Sequence, residues 1–128
     1  MKIIYVVNEA SFFLSHRLPL AQEATRLGVE VVIVCGAGTG EELLAKYDLN
    51  WRSYPLSRSG INPLQELRTL RMLLKIYREE QPDLVHHVTI KPVIYGGFAA
   101  WWRGVPAVVS TVPGLGYVFS QEGWRAAL

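Results

Sequence analysis

The strongest constraint on the fold is the alternation of two kinds of segment along the chain. Short apolar runs rich in β-branched residues are typical of buried strands, and they alternate with segments whose apolar residues recur every three or four positions. The apolar runs predict five strands, at Ile3–Val7, Val29–Cys35, Trp51–Leu56, Leu84–Val88 and Ala107–Val112. The intervening patterns predict helices at about His16–Leu27, Glu41–Tyr47, Pro63–Glu80 and Pro92–Arg103.

This order of elements predicts the fold class. Parallel strands need crossover connections, which are usually helical, and strands that are apolar along nearly their whole length are covered on both faces. We therefore expect an α/β fold with a Rossmann-like, doubly wound parallel sheet. The 128 residues fit one such domain, which would span residues 1–128.

The composition is typical of a globular protein from the cytoplasm. Half of the residues are apolar and 19% are charged, which is the balance of a folded domain. No apolar run approaches the roughly 18 residues that span a bilayer, and the opening segment Met1–Val7 is more like a strand than a signal peptide. The single cysteine, Cys35, agrees with a reducing compartment and is expected to lie in the core.

The charge of the chain is small but unevenly distributed. A net charge of +2 does not indicate a nucleic-acid partner. Residues 1–50 contain four basic and six acidic side chains, whereas residues 51–128 contain nine basic and five acidic ones. Part of this excess forms a stripe on the third predicted helix, made of Arg68, Arg71, Lys75 and Arg78. Two interpretations stay open: peripheral binding to an anionic membrane surface, or an ordinary solvated helix face.

Ligand-binding residues are expected in the segments that follow the strands, because ligands of open parallel sheets bind beyond the carboxyl ends. The segment Asn8–Phe13 after the first strand lacks the glycines of a dinucleotide fingerprint, which argues against a Rossmann dehydrogenase. The segment Gly36–Gly40 after the second strand is rich in glycine. It suits a flexible turn better than a phosphate cradle, because Glu41 and Glu42 would repel an anion there.

Two cations follow the third and fourth predicted strands. Arg58 precedes a helix that Asn62 can cap, where it is either a phosphate or carboxylate ligand or an exposed turn residue. Lys91 stands at the mouth of the sheet, immediately before a helix that opens with Pro92. This position favours anion binding by Lys91, because the N-terminus of a helix is electropositive.

The remaining polar and aromatic candidates do not indicate a metal site or a hydrolase. His86 and His87 are adjacent on the fourth predicted strand, so they point to opposite faces and cannot share a metal ion. One is expected to pack beneath the site while the other reaches towards it, unless both are structural. Trp101 and Trp102 are expected to serve as core and surface cover. No Ser/His/Asp set or paired-carboxylate site is recognisable, and no catalytic base or nucleophile is assigned.

Several segments, in order along the chain, carry a resemblance to a known family: Asp83–His86, Thr89–Lys91, Gly104–Pro106 and Thr111–Tyr117. The chain resembles the N-terminal domain of family 4 glycosyltransferases, and in particular of bacterial enzymes that extend sugars on undecaprenyl diphosphate. The resemblance implies one half of a GT-B fold, in which the N-terminal domain holds the acceptor and the C-terminal domain holds the nucleotide-sugar donor. It also implies transfer with retention of configuration and without a metal or other cofactor.

The resemblance and the loop positions together give a set of acceptor-binding candidates. They are Asn8, Ser11, Phe12, His16, Arg58, His87, Thr89, Lys91, Gly114 and Gly116. The implied partners are a lipid-linked sugar acceptor and a nucleotide-sugar donor, the latter bound through a C-terminal domain that the 128 residues do not include.

The chain departs from the family pattern at two positions. Many relatives have His-x-His where this chain has His86–Val88, and Thr-Val-His-Gly where it has Thr111–Gly114. Because the donor half is not included either, we expect that the chain alone transfers no sugar. Two alternatives stay open besides the truncated enzyme: a natural subunit of a split glycosyltransferase, and a non-catalytic module that binds a ligand or docks on a membrane.

Overall fold

The computed structural model describes residues 1–55 and 63–111, and its central feature is a five-stranded parallel sheet. The strands are β1 (Lys2–Val6), β2 (Glu30–Gly36), β3 (Asn50–Tyr54), β4 (Leu84–Val88) and β5 (Ala107–Thr111). Their order across the sheet is β3-β2-β1-β4-β5, and each neighbouring pair is parallel. The predicted α/β class and the doubly wound parallel sheet are confirmed.

Helical segments connect the strands and cover both faces of the sheet. They are α1 (Ala10–His16), α2 (Leu18–Arg26), a 3₁₀ helix (Glu41–Tyr47), α3 (Pro63–Glu80), a π-helical turn (Pro92–Gly96) and α4 (Gly97–Arg103). The helices α1 and α2 and the 3₁₀ helix contribute to the core on one face, whereas α3 and α4 contribute to the core on the other.

The apolar sequence of β1 reflects its burial between these two layers. Ile4 and Val6 lie in the core that contains α3 and α4, whereas Tyr5 and Val7 lie in the core that contains α1 and α2. Successive side chains of a strand point to opposite faces, so a strand covered on both sides must be apolar at every position. Cys35 is buried as predicted, and burial raises the pKa of its thiol to about 12.

The segment that follows β1 differs from the prediction. The sequence predicts one helix at about His16–Leu27, which Ser15 would cap. The chain instead forms two helices separated at Arg17, with φ −122° and ψ −4°. Pro19 explains the break, because proline disrupts a helix interior but is accepted in a first turn, where it lies in α2. The Ser15 hydroxyl donates within α1 to the Ser11 carbonyl. The predicted cap is therefore wrong, and Ser11 and Phe12 lie in a helix instead of a loop.

The tryptophans of α4 also differ from the prediction. Trp101 and Trp102 are 74% and 61% exposed, so neither belongs to the core. The inward positions of α4 are taken by Ala99 and Ala100, which are fully buried. Small side chains there allow α4 to approach the sheet closely and leave the larger rings on the outer side.

Candidate functional site

A small cavity lies where β1 and β4 end. These strands are neighbours in the sheet, so the segments that follow them meet at the same edge. The cavity has a volume of about 150 Å³ and is lined by Asn8, Glu9, Phe12 and Thr89. The fold therefore brings together three of the predicted acceptor-binding residues, although Thr89 is distant from the other two in sequence.

Thr89 has the most unusual backbone among the residues that line the cavity. Its φ is +76°, a left-handed conformation that costs a β-branched residue about 1–3 kcal/mol. The conformation is held by its main chain, since its N–H donates to the Thr111 carbonyl at 2.9 Å and its carbonyl accepts from Val93 at 3.0 Å. The Thr89 Oγ1 is buried and has no hydrogen-bond partner among the described residues. Strain and an unsatisfied hydroxyl at a cavity are features of ligand sites.

Asn8 is positioned by a tyrosine from a distant strand. The Tyr54 hydroxyl donates to the Val7 carbonyl at 2.8 Å and lies 3.3 Å from Asn8 Oδ1. The Asn8 carbonyl also accepts from the Gly36 N–H at 3.0 Å. Tyr54 is a positioning residue that the sequence analysis missed. The sequence does show a tyrosine near the carboxyl end of the third predicted strand. Its contact with Asn8 could not be predicted, because it depends on the order of the strands in the sheet.

The helix α1 supplies the apolar wall of the cavity. Phe12 lines the cavity, and its ring stacks on the imidazole of His16 with 4.2 Å between centroids. His16 Nδ1 lies 3.1 Å from the Phe12 carbonyl, which fixes the orientation of the exposed imidazole. Ser11 is exposed on the same helix and does not line the cavity. Of the α1 candidates, only Phe12 reaches the cavity directly.

His87, which is also predicted to bind the acceptor, does not line the cavity. Its side chain is fully buried, and its Nε2 lies 2.7 Å from the Tyr77 hydroxyl of α3. A Cβ atom at Gly96 would overlap the imidazole ring of His87. The absence of a side chain at this glycine of the π-helical turn therefore leaves room for the ring. Burial lowers the pKa of His87 to about 4, and the ring is neutral at physiological pH. The residue is structural because the pleat of β4 directs it under α3 and α4.

His86 points to the opposite face of β4, as the sequence predicts. Its Nε2 lies 2.9 Å from the Thr111 hydroxyl, and its ring packs against Tyr5 with 5.3 Å between centroids. Burial, and to a smaller extent the charge of Arg17, lowers the pKa of its imidazole. His86 is the half-buried histidine of the pair, and it is held by β5 and β1.

Lys91 lies at the carboxyl end of β4 but is already part of an ion pair. Its Nζ is 3.2 Å from Oε1 of Glu66 at the start of α3. A hydrogen bond from Tyr95, together with the charge of Lys91, keeps the pKa of the Glu66 carboxyl below its usual range. Lys91 does not line the 150 Å³ cavity. An anion bound by Lys91 would therefore share the ammonium group with Glu66.

The glycine-rich segment after β2 holds an acidic side chain of its own. The Glu41 carboxylate accepts hydrogen bonds from the main-chain N–H groups of Gly38 and Thr39, at 3.0 and 2.9 Å. These bonds lower the pKa of Glu41. A phosphate would have to displace this carboxylate, so the geometry favours the turn interpretation over the phosphate cradle.

A second surface feature is a cationic groove beside α3. It has a volume of about 560 Å³, and five of its lining residues are basic. These are Arg68, Arg71, Lys75, Arg78 and Arg103. Met72 and Leu74 also line the groove, and none of the described lining residues is acidic. All four cations of the predicted stripe on α3 thus line the same groove.

Three predicted acceptor-binding residues lie outside the described residues: Arg58, Gly114 and Gly116. The predicted cap Asn62 and the ends of the third and fifth predicted strands lie outside them as well. Within residues 1–55 and 63–111, no group of three or more metal-ligating side chains occurs. No helix in those ranges is long and apolar enough to span a membrane.

Comparison with known sequences identifies related proteins. The sequence profile of the family described as "Glycosyl transferase 4-like" matches residues 2–126. The N,N'-diacetylbacillosaminyl-diphospho-undecaprenol alpha-1,3-N-acetylgalactosaminyltransferase of Campylobacter jejuni is 23% identical over 128 residues. That match covers 100% of this chain but 34% of the relative, so the chain spans about a third of the relative's length.

Solved structures share the fold. MurG of Acinetobacter baumannii has a TM-score of 0.67 at 17% identity, with 87% of this chain and 34% of that chain covered. Glycosyltransferase VinC, in complex with DTDP, has a TM-score of 0.66 at 19% identity and the same coverage. UDP-GlcNAc 2-epimerase from Methanocaldococcus jannaschii has a TM-score of 0.64 at 17% identity, with 86% and 31% covered. Transferases and an epimerase both appear, so the fold alone does not determine the reaction.

Proposed function

Because the chain belongs to the glycosyl transferase 4-like family, we propose that it forms the acceptor-side half of a retaining GT-B glycosyltransferase. The enzyme would transfer a sugar from a nucleotide-sugar to a lipid-diphosphate-linked glycan. The relative from Campylobacter jejuni is named for such an acceptor, a sugar carried on diphospho-undecaprenol. The observation that carries the proposal is Thr89, which lines the cavity between β1 and β4. Its backbone is left-handed, and its hydroxyl has no hydrogen-bond partner in the described part of the chain.

The cavity offers the groups that a sugar acceptor needs. Two of the lining residues, Thr89 and Asn8, carry a hydroxyl and an amide that would hydrogen-bond sugar hydroxyls, and Phe12 would supply an apolar wall. Tyr54 holds Asn8 in position before the ligand arrives, which reduces the entropy cost of binding. In this role the chain orients the attacking hydroxyl. It supplies no assigned base or nucleophile.

Charge stabilisation would be shared with a donor-binding domain. Glycosyl transfer builds negative charge on the departing nucleoside diphosphate and positive charge on the sugar, so placing opposite charges is the main catalytic task. In this half, Lys91 and Arg58 are the candidate anion ligands. The other groups would come from the partner domain across a cleft that excludes water. We accordingly expect no sugar transfer by the 128-residue chain alone, whether the donor domain is encoded in the same chain or in a second subunit.

The cationic groove supports a peripheral position on the cytoplasmic face of the membrane. A lipid-linked acceptor stays at the bilayer surface, and the four cations of α3 would attract anionic lipid headgroups there. This attraction is electrostatic, so it should weaken as ionic strength rises.

A matched pair of substitutions tests the acceptor site. Thr89→Val keeps the β-branched shape and removes the hydroxyl, whereas Thr25→Val removes a hydroxyl that bonds to Ala21 on α2, far from the cavity. Binding of a short-chain, water-soluble undecaprenyl-diphosphate-sugar analogue would be measured by calorimetry. Loss of one hydrogen bond, about 0.5–1.5 kcal/mol, should weaken binding roughly two- to tenfold for Thr89→Val. Equal affinity in the wild type and both variants would reject this site.

A further inference from the structure

The start of α1 is capped by a residue from another segment of the chain. Glu9, which immediately precedes α1, makes no side-chain hydrogen bond that caps the helix. The Ala10 N–H donates instead to Thr39 Oγ1 at 3.1 Å, and the Ser11 N–H donates to the Thr39 carbonyl at 3.4 Å. The first N–H groups of a helix have no partner within the helix, so Thr39 supplies acceptors that α1 itself lacks.

Thr39 is held in place by the segment that follows β2. Its hydroxyl donates to the Gly36 carbonyl at 2.6 Å while accepting from Ala10. Its N–H donates to the Glu41 carboxylate at 2.9 Å. The residue is only 7% exposed. Because one hydroxyl donates and accepts at the same time, both partners determine the orientation of the Thr39 side chain. We call residues Gly36–Gly40 the β2 loop.

The β2 loop holds the chain on both sides of Glu9, which lines the cavity of about 150 Å³. Before Glu9, the Asn8 carbonyl accepts from the Gly36 N–H at 3.0 Å. After Glu9, the next N–H of the chain donates to Thr39. Three of the four lining residues come from this segment after β1, and none of the residues of the β2 loop lines the cavity. The loop therefore supports most of the cavity wall from behind.

Core packing alone does not fix the position of this wall. Ala10 and Phe13 anchor α1 in the core. Apolar contacts are non-directional, whereas a hydrogen bond prescribes both a distance and an angle. The hydrogen bonds to Thr39 therefore determine where α1 begins, and with it where Asn8 and Phe12 stand at the cavity.

We propose that Thr39 is a positioning residue for acceptor binding, which acts through α1 without touching the acceptor. The inference rests on the proposed function, because it concerns the same cavity. Loss of the Thr39 hydroxyl would leave the buried Ala10 N–H without its partner and would release the start of α1. The cavity wall would then become ordered only when the acceptor binds, and this ordering would weaken binding.

Three threonine variants test this role. Thr39→Val keeps the branched shape of the side chain and removes the hydroxyl, whereas Thr39→Ser keeps the hydroxyl. Thr69→Val is the control for the loss of a buried hydroxyl. Thr69 is 8% exposed, and its hydroxyl donates to the Pro55 carbonyl at 2.7 Å. It belongs to α3, on the other face of the sheet from α1.

Hydrogen exchange measured by NMR reports on the cap without any ligand. The exchange rate of the Ala10 amide is compared with that of the Ile4 amide in the central strand β1, which reports global unfolding. Relative to Ile4, the Ala10 amide should exchange roughly two- to tenfold faster in Thr39→Val than in the wild type. Thr39→Ser and Thr69→Val should both retain the wild-type ratio.

Acceptor binding is measured on the same variants. Calorimetry with the water-soluble undecaprenyl-diphosphate-sugar analogue should show roughly two- to tenfold weaker binding for Thr39→Val, because one buried hydrogen bond no longer holds the cavity wall. Thr39→Ser should restore the affinity. Thr69→Val should bind with wild-type affinity even if its Tm is lowered, because its lost hydrogen bond does not hold α1.

The proposal is wrong if the Ala10 amide exchanges at the wild-type ratio in Thr39→Val, since the hydroxyl then does not hold the start of α1. Equal losses of affinity in Thr39→Val and Thr69→Val, or no rescue by Thr39→Ser, would reduce Thr39 to a general effect on stability and overturn it as well. A wild type that binds the analogue and a Thr39→Val variant that binds it equally well would overturn this inference alone. A wild type that does not bind the analogue would overturn the proposed function together with the inference.

Discussion

Replacing Gly96 by alanine puts a methyl group where the imidazole of His87 lies. A Cβ at this position would overlap ring atoms, and the ring is fully buried with its Nε2 bonded to Tyr77. Overpacking of a core costs about 1–3 kcal/mol. If His87 moves away, the buried Tyr77 hydroxyl loses its partner, which costs about a further 1–3 kcal/mol. We therefore expect Gly96→Ala to destabilise the domain by about 2–6 kcal/mol.

The adjacent glycine provides a matched control for this prediction. Nothing lies within 4 Å of a Cβ at Gly97, and its φ of −62° is helical. Gly97→Ala should therefore stabilise the domain by about 0.5–1 kcal/mol through helix propensity. Urea and thermal unfolding followed by circular dichroism would measure both variants. At about 4 °C per kcal/mol, Gly96→Ala should lower Tm by roughly 8–24 °C.

A double-mutant cycle tests whether the clash with His87 is the cause. His87→Ala vacates the space that the new methyl group needs, so Gly96→Ala should cost little in that background. The two substitutions touch each other, and strong non-additivity is expected. Equal destabilisation by Gly96→Ala in both backgrounds, or no difference between Gly96→Ala and Gly97→Ala, would refute the reasoning.

Three further predictions follow from charges. Because burial lowers the pKa of His87 to about 4, only the unfolded chain binds this proton between about pH 6.5 and 4. Stability should fall across that range on acidification, and urea denaturation of His87→Gln should show a flatter profile. Vesicle sedimentation should show weak, salt-independent binding after four cations of α3 become glutamine: Arg68, Arg71, Lys75 and Arg78. Calorimetry should show roughly ten- to hundredfold weaker acceptor binding for Lys91→Ala. Glu66→Gln should tighten acceptor binding, because it removes the carboxylate charge that competes with an anion for Lys91. Changes of the opposite sign would contradict a role of Lys91 in the site.

The sheet and its covering layers could be predicted because they depend on patterns within each segment. Apolar, β-branched runs separated by helical patterns determined the class, and the pleat of β4 determined that His86 and His87 face opposite ways. Which face receives which histidine depends on the side that α3 occupies, and that is a property of the whole fold. The alternation of side chains along β4 therefore predicts that the two histidines face opposite ways. It does not predict which of them is buried under α3.

The candidate site could be predicted only in part for the same reason. Asn8, Phe12 and Thr89 were found because they follow strands that end at the same edge. The contact from Tyr54 to Asn8 could not be found, since it requires β3, β2 and β1 to lie in that order. The left-handed backbone of Thr89 could not be found either, because β-branched residues rarely adopt it.

The path of the chain around β1 and β4 has a consequence for how acceptor selectivity can change. The connection leaving β1 goes to one face of the sheet and leads to β2, whereas the connection leaving β4 goes to the other face and leads to β5. Between two connections that diverge in this way, a crevice opens whatever side chains line it. The order of the strands therefore determines where the cavity lies. The few side chains that line the cavity determine what it can bind, and they can be substituted. On the proposed function, substitutions at Asn8 and Phe12 would change acceptor preference without altering the backbone that creates the space.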